Sequence, residues 1–356
     1  MYSESDIDNA VTAGVLTRDT ATALRNHIAA TSNTVAVDEE HFRLLTGFND
    51  IFVSIAAVLV LAALAWIGGS ITTPLAGAFA AAGAWGLAEY FTRTRRMALP
   101  SIILLLAFVG GVAATLVGLI VANGPAFQHW LDANFHDHQN PVIGSIAAVI
   151  GLATAGAAWL HWRRFMVPIT VAAGAVAVVG VVLSLIVGFI PAARDWIFPL
   201  VLIAGLVMFA FAMRWDMSDR NRQTRRSDVA FWLHLAAAPM IAHALFQMLG
   251  VFDGAISLPI ALVVLALYLV FAFVALAVDR RALLVSSLAY VLYALYSLFH
   301  SAGAVEMAWA MTGLVIGSAL LTLSAFWHPM RAMVVGMLGG LADRLPPVGR
   351  MVPVAA

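Results

Sequence analysis

The chain contains no cysteine, which excludes disulfides, thiolate nucleophiles and zinc or iron–sulfur centres held by cysteine. It also contains no lysine, because all 19 basic residues are arginines. A Schiff base to retinal or pyridoxal phosphate and the lysine of a phosphate-binding loop both need an amine, which a guanidinium group cannot replace. These absences remove several classes of enzyme and photoreceptor.

Charge is scarce as well. Only 11% of the 356 residues are charged, 62% are hydrophobic, and the mean hydropathy is +0.94. Soluble domains carry about 25% charged residues. Ten apolar runs are long enough to cross roughly 30 Å of hydrocarbon, and none begins before about residue 50, so no cleavable signal peptide is expected. The sequence therefore predicts an all-α, polytopic integral membrane protein with about ten transmembrane helices.

The boundaries of these spans are marked by proline. Six spans have a proline near their first turn, where its fixed φ favours helix initiation and no hydrogen bond is lost: Pro74, Pro100, Pro141, Pro168, Pro199 and Pro259. The predicted spans cover 50–69, 73–91, 100–122, 141–161, 166–190, 196–213, 229–250, 257–278, 282–300 and 304–327.

The arginines predict the orientation. With ten spans, 18 of the 19 arginines fall on one side of the membrane and only Arg194 falls on the other. Positive loops stay in the cytoplasm, so both termini are predicted to be cytoplasmic. The domains predicted are an acidic helical head at 1–48, a ten-span domain at 49–327, and an amphipathic helix with a tail at 328–356.

The head is predicted to hold two short helices. Ser5 and Asp8 form a capping box, Gly14 fits a helix stop, and Thr17 can cap the second helix. Acidic residues outnumber arginines by seven to three, which argues against binding to nucleic acid. A cytoplasmic protein partner is the alternative role for this head.

The head and the spans together resemble the architecture of known protein families. An acidic helical head (Ala10 to Thr17, then Ala21 to Arg25) that leads into eight to ten spans resembles uncharacterised bacterial families of predicted membrane proteins. The resemblance covers the whole architecture and implies a bacterial inner-membrane location, but it implies no activity.

Polar residues within the spans are the candidate functional residues, because each needs a partner or water. The seventh span carries Pro239, which is predicted to break the helix, and His243 and Gln247 follow it at intervals of four. The ninth span carries a polar stripe at helical spacing, and Glu306 follows across the next turn. The members of the stripe are Ser286, Tyr290, Tyr293, Ser297 and His300.

A loop between the third and fourth spans offers a different kind of site. If its helix is continuous, His129, Asp132 and His136 share one face, and His138 could complete a site for zinc or copper. The alternative is an interfacial helix held by aromatic residues. No cofactor is predicted, although a haem between His161 and His234 is a second alternative.

These patterns lead to a functional hypothesis. We expect a permease for a small neutral or amphiphilic solute, with a pathway along the seventh and ninth spans; the alternative for the same residues is interhelical hydrogen bonding. The alternative function, from a different class of protein, is a non-catalytic scaffold that binds a cytoplasmic partner through residues 1–48. No carboxylate pair or Ser/His/Asp arrangement predicts an enzyme. Small-residue spacings such as Gly313 to Gly317 allow, but do not require, a homo-oligomer.

Overall fold

The structure is a computed structural model that describes residues 7, 10–31, 48–220, 222, 224–251, 257–301, 303 and 306–348. None of these residues lies in a strand, so the predicted all-α class is confirmed. The helices are α1 Arg18–Thr31, α2 Phe48–Ile71, α3 Thr73–Ala88, α4 Ala98–Ala122, α5 Gly124–Phe135, α6 Gln139–Phe165, α7 Ile169–Phe189, α8 Ile197–Ser218, α9 Arg225–Met248, α10 Leu258–Val278, α11 Ala282–Ser301, α12 Ala308–Ala325 and α13 Trp327–Met337.

Within the described residues, nine helices are long and apolar enough to cross a membrane. They are α2, α4 and α6 to α12. The predicted second span differs, because its α-helix ends at Ala88 and the chain continues as a π-helical segment over Glu89–Thr94. The protein is therefore a polytopic membrane protein, and the six prolines lie in or next to the first turns of their helices, as predicted.

The helices pack mainly as sequential pairs: α3 on α4, α6 on α7, and α8 on α9. Helix α9 is the most buried of the nine and contacts α7, α8 and α11. The largest hydrophobic core surrounds it and includes Leu233, Phe246, Val264 and Phe271. The position of α9 places its polar residues among several neighbouring helices.

Ion pairs between turns define one end of this bundle. Arg164 at the end of α6 donates to Glu89 at the end of α3, and the turn before α9 contacts the turn before α11 through Arg222 and Asp279. We call this the arginine-rich end; it comprises residues 93–96, 163–164, 214–220, 222, 224–226 and 280–281. Glu89 also pairs with Arg93 one turn further along the chain, with 3.2 Å between Nη1 and Oε2.

The two terminal segments are only partly described. Gly14 has a φ of +73°, and the Thr17 hydroxyl accepts a hydrogen bond from the amide of Thr20 at 3.2 Å, as the predicted stop and cap require. The predicted capping box of Ser5 and Asp8 lies outside the described residues. At the other terminus, α13 begins at Trp327 and is followed by a 3₁₀ segment over Gly339–Arg344.

Candidate functional site

The polar residues predicted on two different spans meet at one contact. The Nδ1 atom of His243 on α9 lies 2.7 Å from the hydroxyl oxygen of Tyr290 on α11, within hydrogen-bond distance. The Tyr290 ring stacks on Phe246 with 4.4 Å between ring centroids, and Phe198 on α8 meets the edge of the His243 ring. The contact therefore joins three helices through one histidine and one tyrosine.

The other predicted residues on these helices continue the same strip. Gln247 lies one turn beyond His243 and is half-buried, and Tyr293 and Ser297 on α11 are half-buried as well. We call the strip formed by these residues and the contact the polar seam; its members are His243, Gln247, Tyr290, Tyr293 and Ser297. All are neutral side chains or a histidine, so the seam offers hydrogen bonds without a fixed charge.

Pro239 does not break the helix, contrary to the prediction. Helix α9 continues through it from Arg225 to Met248. A proline removes its own N–H from the helical ladder, but packing against neighbouring helices keeps such helices continuous in membranes. Pro239 lies on the exposed side of α9, in line with His243.

The two residues predicted at the far end of the seam, His300 and Glu306, are exposed, as His243 is. No ion pair joins them within the described part of the chain. The His300 ring instead lies against Tyr296, with 5.6 Å between ring centroids.

The loop predicted to bind a metal forms the helix on which that prediction depended, but it does not gather the predicted ligands. Helix α5 covers Gly124–Phe135, yet within the described residues no group of three or more His, Asp or Glu side chains is placed to hold a metal ion. Asp132 accepts hydrogen bonds from the side chains of Gln128 and Gln139 at 3.1 and 2.7 Å instead. Three predicted ligands, His129, His136 and His138, are therefore not brought together with it.

The two histidines considered for haem also lie in separate environments. His161 is fully buried between the aromatic rings of Trp85, Phe108 and Phe165. His234 is buried in the other half of the chain, where its Nε2 atom donates to Asp216 at 2.8 Å. The two histidines therefore contact different sets of residues.

A second polar site, which the sequence analysis missed, lies at the arginine-rich end. Asp216 in the last turn of α8 is 1% exposed and accepts hydrogen bonds from His234 on α9 and from Arg280. The Nε atom of Arg280 also lies 3.2 Å from Asp216, and its Nη2 atom donates to the carbonyl of Ser227 at 3.1 Å. One carboxylate therefore connects α8, α9 and the turn before α11.

Asp279 forms the second part of this site. Its carboxylate accepts hydrogen bonds from Nη1 of Arg222 at 2.8 Å and from the indole N–H of Trp327 at 2.9 Å, and Arg331 lies 3.5 Å away. Burial raises the pKa of the Asp279 carboxyl, but the guanidinium groups of Arg222 and Arg331 and the indole N–H outweigh it. The net effect is a pKa below the ordinary value. We call the two aspartates and their partners the buried ion cluster: Asp216, Arg222, His234, Asp279, Arg280, Trp327 and Arg331.

The segment after the last span is tied to this cluster. Arg331, which is 1% exposed, donates to the carbonyls of Pro346 and Pro347 at 2.6 and 3.1 Å, and Arg220 donates to the carbonyl of Leu345 at 3.1 Å. Arg331 belongs to the segment 328–356, which is predicted to hold an amphipathic helix and a tail. The structure buries the Arg331 side chain, with both terminal nitrogens donating to carbonyl groups and Nε near Asp279.

The sequence does hold a signal for this cluster. Asp216 and Asp279 are acidic residues that border spans on the side where arginines prevail. A carboxylate at such a depth needs a basic partner, so these two positions predict ion pairs. Counting arginines to predict orientation does not reveal these ion pairs. Arg280 adds one to that count whether its side chain faces water or Asp216.

Comparisons with protein-family models, with curated proteins and with solved structures find no match to this chain.

Proposed function

We propose that the protein is a permease of the bacterial inner membrane that moves a small neutral or amphiphilic solute along the polar seam. The observation that carries this proposal is the hydrogen bond between His243 and Tyr290, which places exchangeable polar groups from two helices side by side. A solute with hydroxyl or amide groups can replace this hydrogen bond with hydrogen bonds of its own, and the exchange leaves no unpaired carboxylate or guanidinium group.

The proposed topology has ten spans with both termini in the cytoplasm. Nine spans are the apolar helices described above, and the tenth is α3 with its π-helical continuation, 16 and 6 residues long. At about 1.5 Å of rise per residue, the α-helix alone is too short for a bilayer, whereas the two segments together reach roughly 30 Å. An even number of spans keeps the arginine-rich turns on the cytoplasmic side.

Water access to the seam tests the proposal, and the absence of native cysteine makes single-cysteine labelling direct. We expect Gln247→Cys, Tyr293→Cys and Ser297→Cys to react with a membrane-impermeant maleimide at least tenfold faster than the control variants. The controls are Leu269→Cys and Leu206→Cys, at exposed apolar positions near the middle of α10 and α8. Equal rates at the seam and at the controls would mean that the seam is a packing contact and not a pathway.

Transport itself separates this function from the alternative of a scaffold. In proteoliposomes, uptake from a panel of small neutral amphiphiles should be lost in His243→Ala and Tyr293→Phe, while both variants insert normally. Deletion of residues 1–45 should leave uptake unchanged. The reverse pattern, with silent seam variants and a deletion that abolishes the cellular phenotype, would favour docking of a partner through the acidic head.

A further inference from the structure

A cleft at the arginine-rich end lies between α8 and the start of α9. Its volume is about 350 Å³, and it is lined by Phe211, Arg214, Trp215, Ser218 and Arg226. The four residues from α8 follow at helical spacing and share one face of that helix. Arg226 comes from the first turn of α9. Two different helices therefore direct a guanidinium group toward one small space.

Among the described residues that line this cleft, two are arginines and none is acidic. Within the described residues, neither Arg214 nor Arg226 has a side-chain hydrogen bond or ion pair, and both are exposed. Other arginines at the same end differ, since Arg222 and Arg280 are paired with buried carboxylates. The described lining of the cleft therefore carries two positive charges, which complement an anion.

The cleft also has an apolar side. Phe211 lies one turn deeper along α8 than Trp215, and the two rings meet edge to face with 6.3 Å between centroids. Phe211 is 40% exposed on a helix that is apolar enough to span the membrane. Tryptophan is enriched at the level of lipid head groups, and guanidinium groups bind phosphate through paired hydrogen bonds. A free phosphate would use the arginines and leave the aromatic side empty, whereas a phospholipid uses both.

We infer that this cleft binds an anionic phospholipid, with its phosphate between Arg214 and Arg226 and the start of an acyl chain along Phe211. The lipid is a resident of the site and not the transported solute, so the inference is independent of the proposed permease. A phosphate held by both arginines gives α8 and α9 a second link at the end where Asp216 already joins them.

A groove between α11 and α12 provides an internal contrast. It has a volume of about 200 Å³, and its lining is mostly aliphatic with a single arginine, Arg281. That guanidinium group lies 4.6 Å from the centroid of the Trp327 ring. One stacked arginine gives a weaker anion site than two converging ones, so Arg281 serves as a control position.

Lipid binding measured by native mass spectrometry tests the inference. The full-length protein in mild detergent is titrated with dioleoylphosphatidylglycerol, with dioleoylphosphatidylcholine as the zwitterionic comparison. We expect the double variant Arg214→Gln/Arg226→Gln to bind the first anionic lipid at least tenfold more weakly than the parent protein. The matched control Arg163→Gln/Arg281→Gln removes two exposed arginines that stack on tryptophans at the same end, and it should stay within twofold of the parent.

Three results would overturn the inference. Equal losses in the two double variants would mean that the whole arginine-rich end attracts anionic lipids without a defined site. Equal binding of the two lipids would mean that charge does not select the occupant. Displacement of the lipid by millimolar inorganic phosphate would assign the cleft to free anions. Should the double variant fail to fold, the single variant Arg226→Gln, compared with Arg281→Gln, decides the question, with a threefold loss expected for Arg226→Gln alone.

Discussion

The two halves of the spanning region are held together by different means. In α2 to α7, glycines allow helices to touch: a methyl group added at Gly77 would lie 2.4 Å from the carbonyl oxygen of Gly111, and one added at Gly144 would lie 2.7 Å from the Cα atom of Gly188. In α8 to α13, buried charges bring the helix ends together, through Asp216 and Asp279.

Glycine has a smaller part in the second half. Methyl groups added at Gly313 and Gly317 would meet no described atom within 4 Å, so the small-residue face of α12 is not used for packing within the described chain. In the first half, the carboxylate of Glu89 is about one-third exposed and pairs with arginines near the surface, while Asp50 in the first turn of α2 is buried.

The contrast shows where each kind of packing is useful. Close glycine contacts bury only backbone and small apolar groups, and they fix a helix pair along its whole length. Buried ion pairs connect the helices near one end, and they leave the later part of α9 and the middle of α11 to polar residues such as His243 and Tyr290. The proposed pathway is placed in the second half for this reason.

The largest expected effect comes from removing one charge of the buried ion cluster. Arg280→Gln leaves Asp216 buried with His234 as its remaining partner. An uncompensated buried charge costs about 3–5 kcal/mol, and we expect the lower end of this range because His234 still donates a hydrogen bond to Asp216. The measurement is the free energy of unfolding by denaturant titration in mixed micelles.

Two further variants make this test specific. Arg164→Gln removes an arginine from the more exposed pair with Glu89 and should cost less than about 1 kcal/mol. The double variant Asp216→Leu/Arg280→Met removes both charges and should recover most of the lost stability. If Arg280→Gln were no more destabilising than Arg164→Gln, the proposed difference between the halves would be wrong.

The sequence predicts the helices of both halves but not their means of packing. Apolar runs and first-turn prolines locate spans because each feature acts within a single helix. Contacts between distant segments depend on how helices rotate and pair, as for Arg331 and the carbonyl of Pro346. The sequence predicts polar residues on two spans, but not that His243 and Tyr290 form a hydrogen bond between them. The continuity of α9 through Pro239 depends on packing against other helices, which the spacing of residues along the chain does not reveal.

A substitution in the first half tests whether close glycine contacts hold its helices together. Gly77→Ala places a methyl group against backbone atoms of α4 that cannot move independently, and overpacking of this kind costs about 1–3 kcal/mol. Gly86→Ala lies on the same helix, where the added methyl group meets nothing within 4 Å, and it should be neutral or stabilising by up to about 1 kcal/mol. The same denaturant titration measures both variants; equal effects would contradict the close contact between α3 and α4.

The smallest expected effect concerns the polar seam. Tyr290→Phe removes the hydroxyl that meets His243 but keeps the ring stacked on Phe246, and interhelical hydrogen bonds in membranes contribute about 0.6 kcal/mol on average. Tyr296→Phe is the control, because the Tyr296 ring stacks on Trp309 and its hydroxyl has no hydrogen bond among the described residues.

A double-mutant cycle of Tyr290→Phe with His243→Ala measures this interaction directly, and it should return a coupling of about 0.6–1.7 kcal/mol. A coupling below about 0.2 kcal/mol, well under that range, would mean that the two side chains do not interact in the membrane. A stable Tyr290→Phe variant with altered uptake would show that this bond serves transport more than folding. The buried ion cluster cannot give such a result, because removing one of its charges destabilises the protein before transport can be compared.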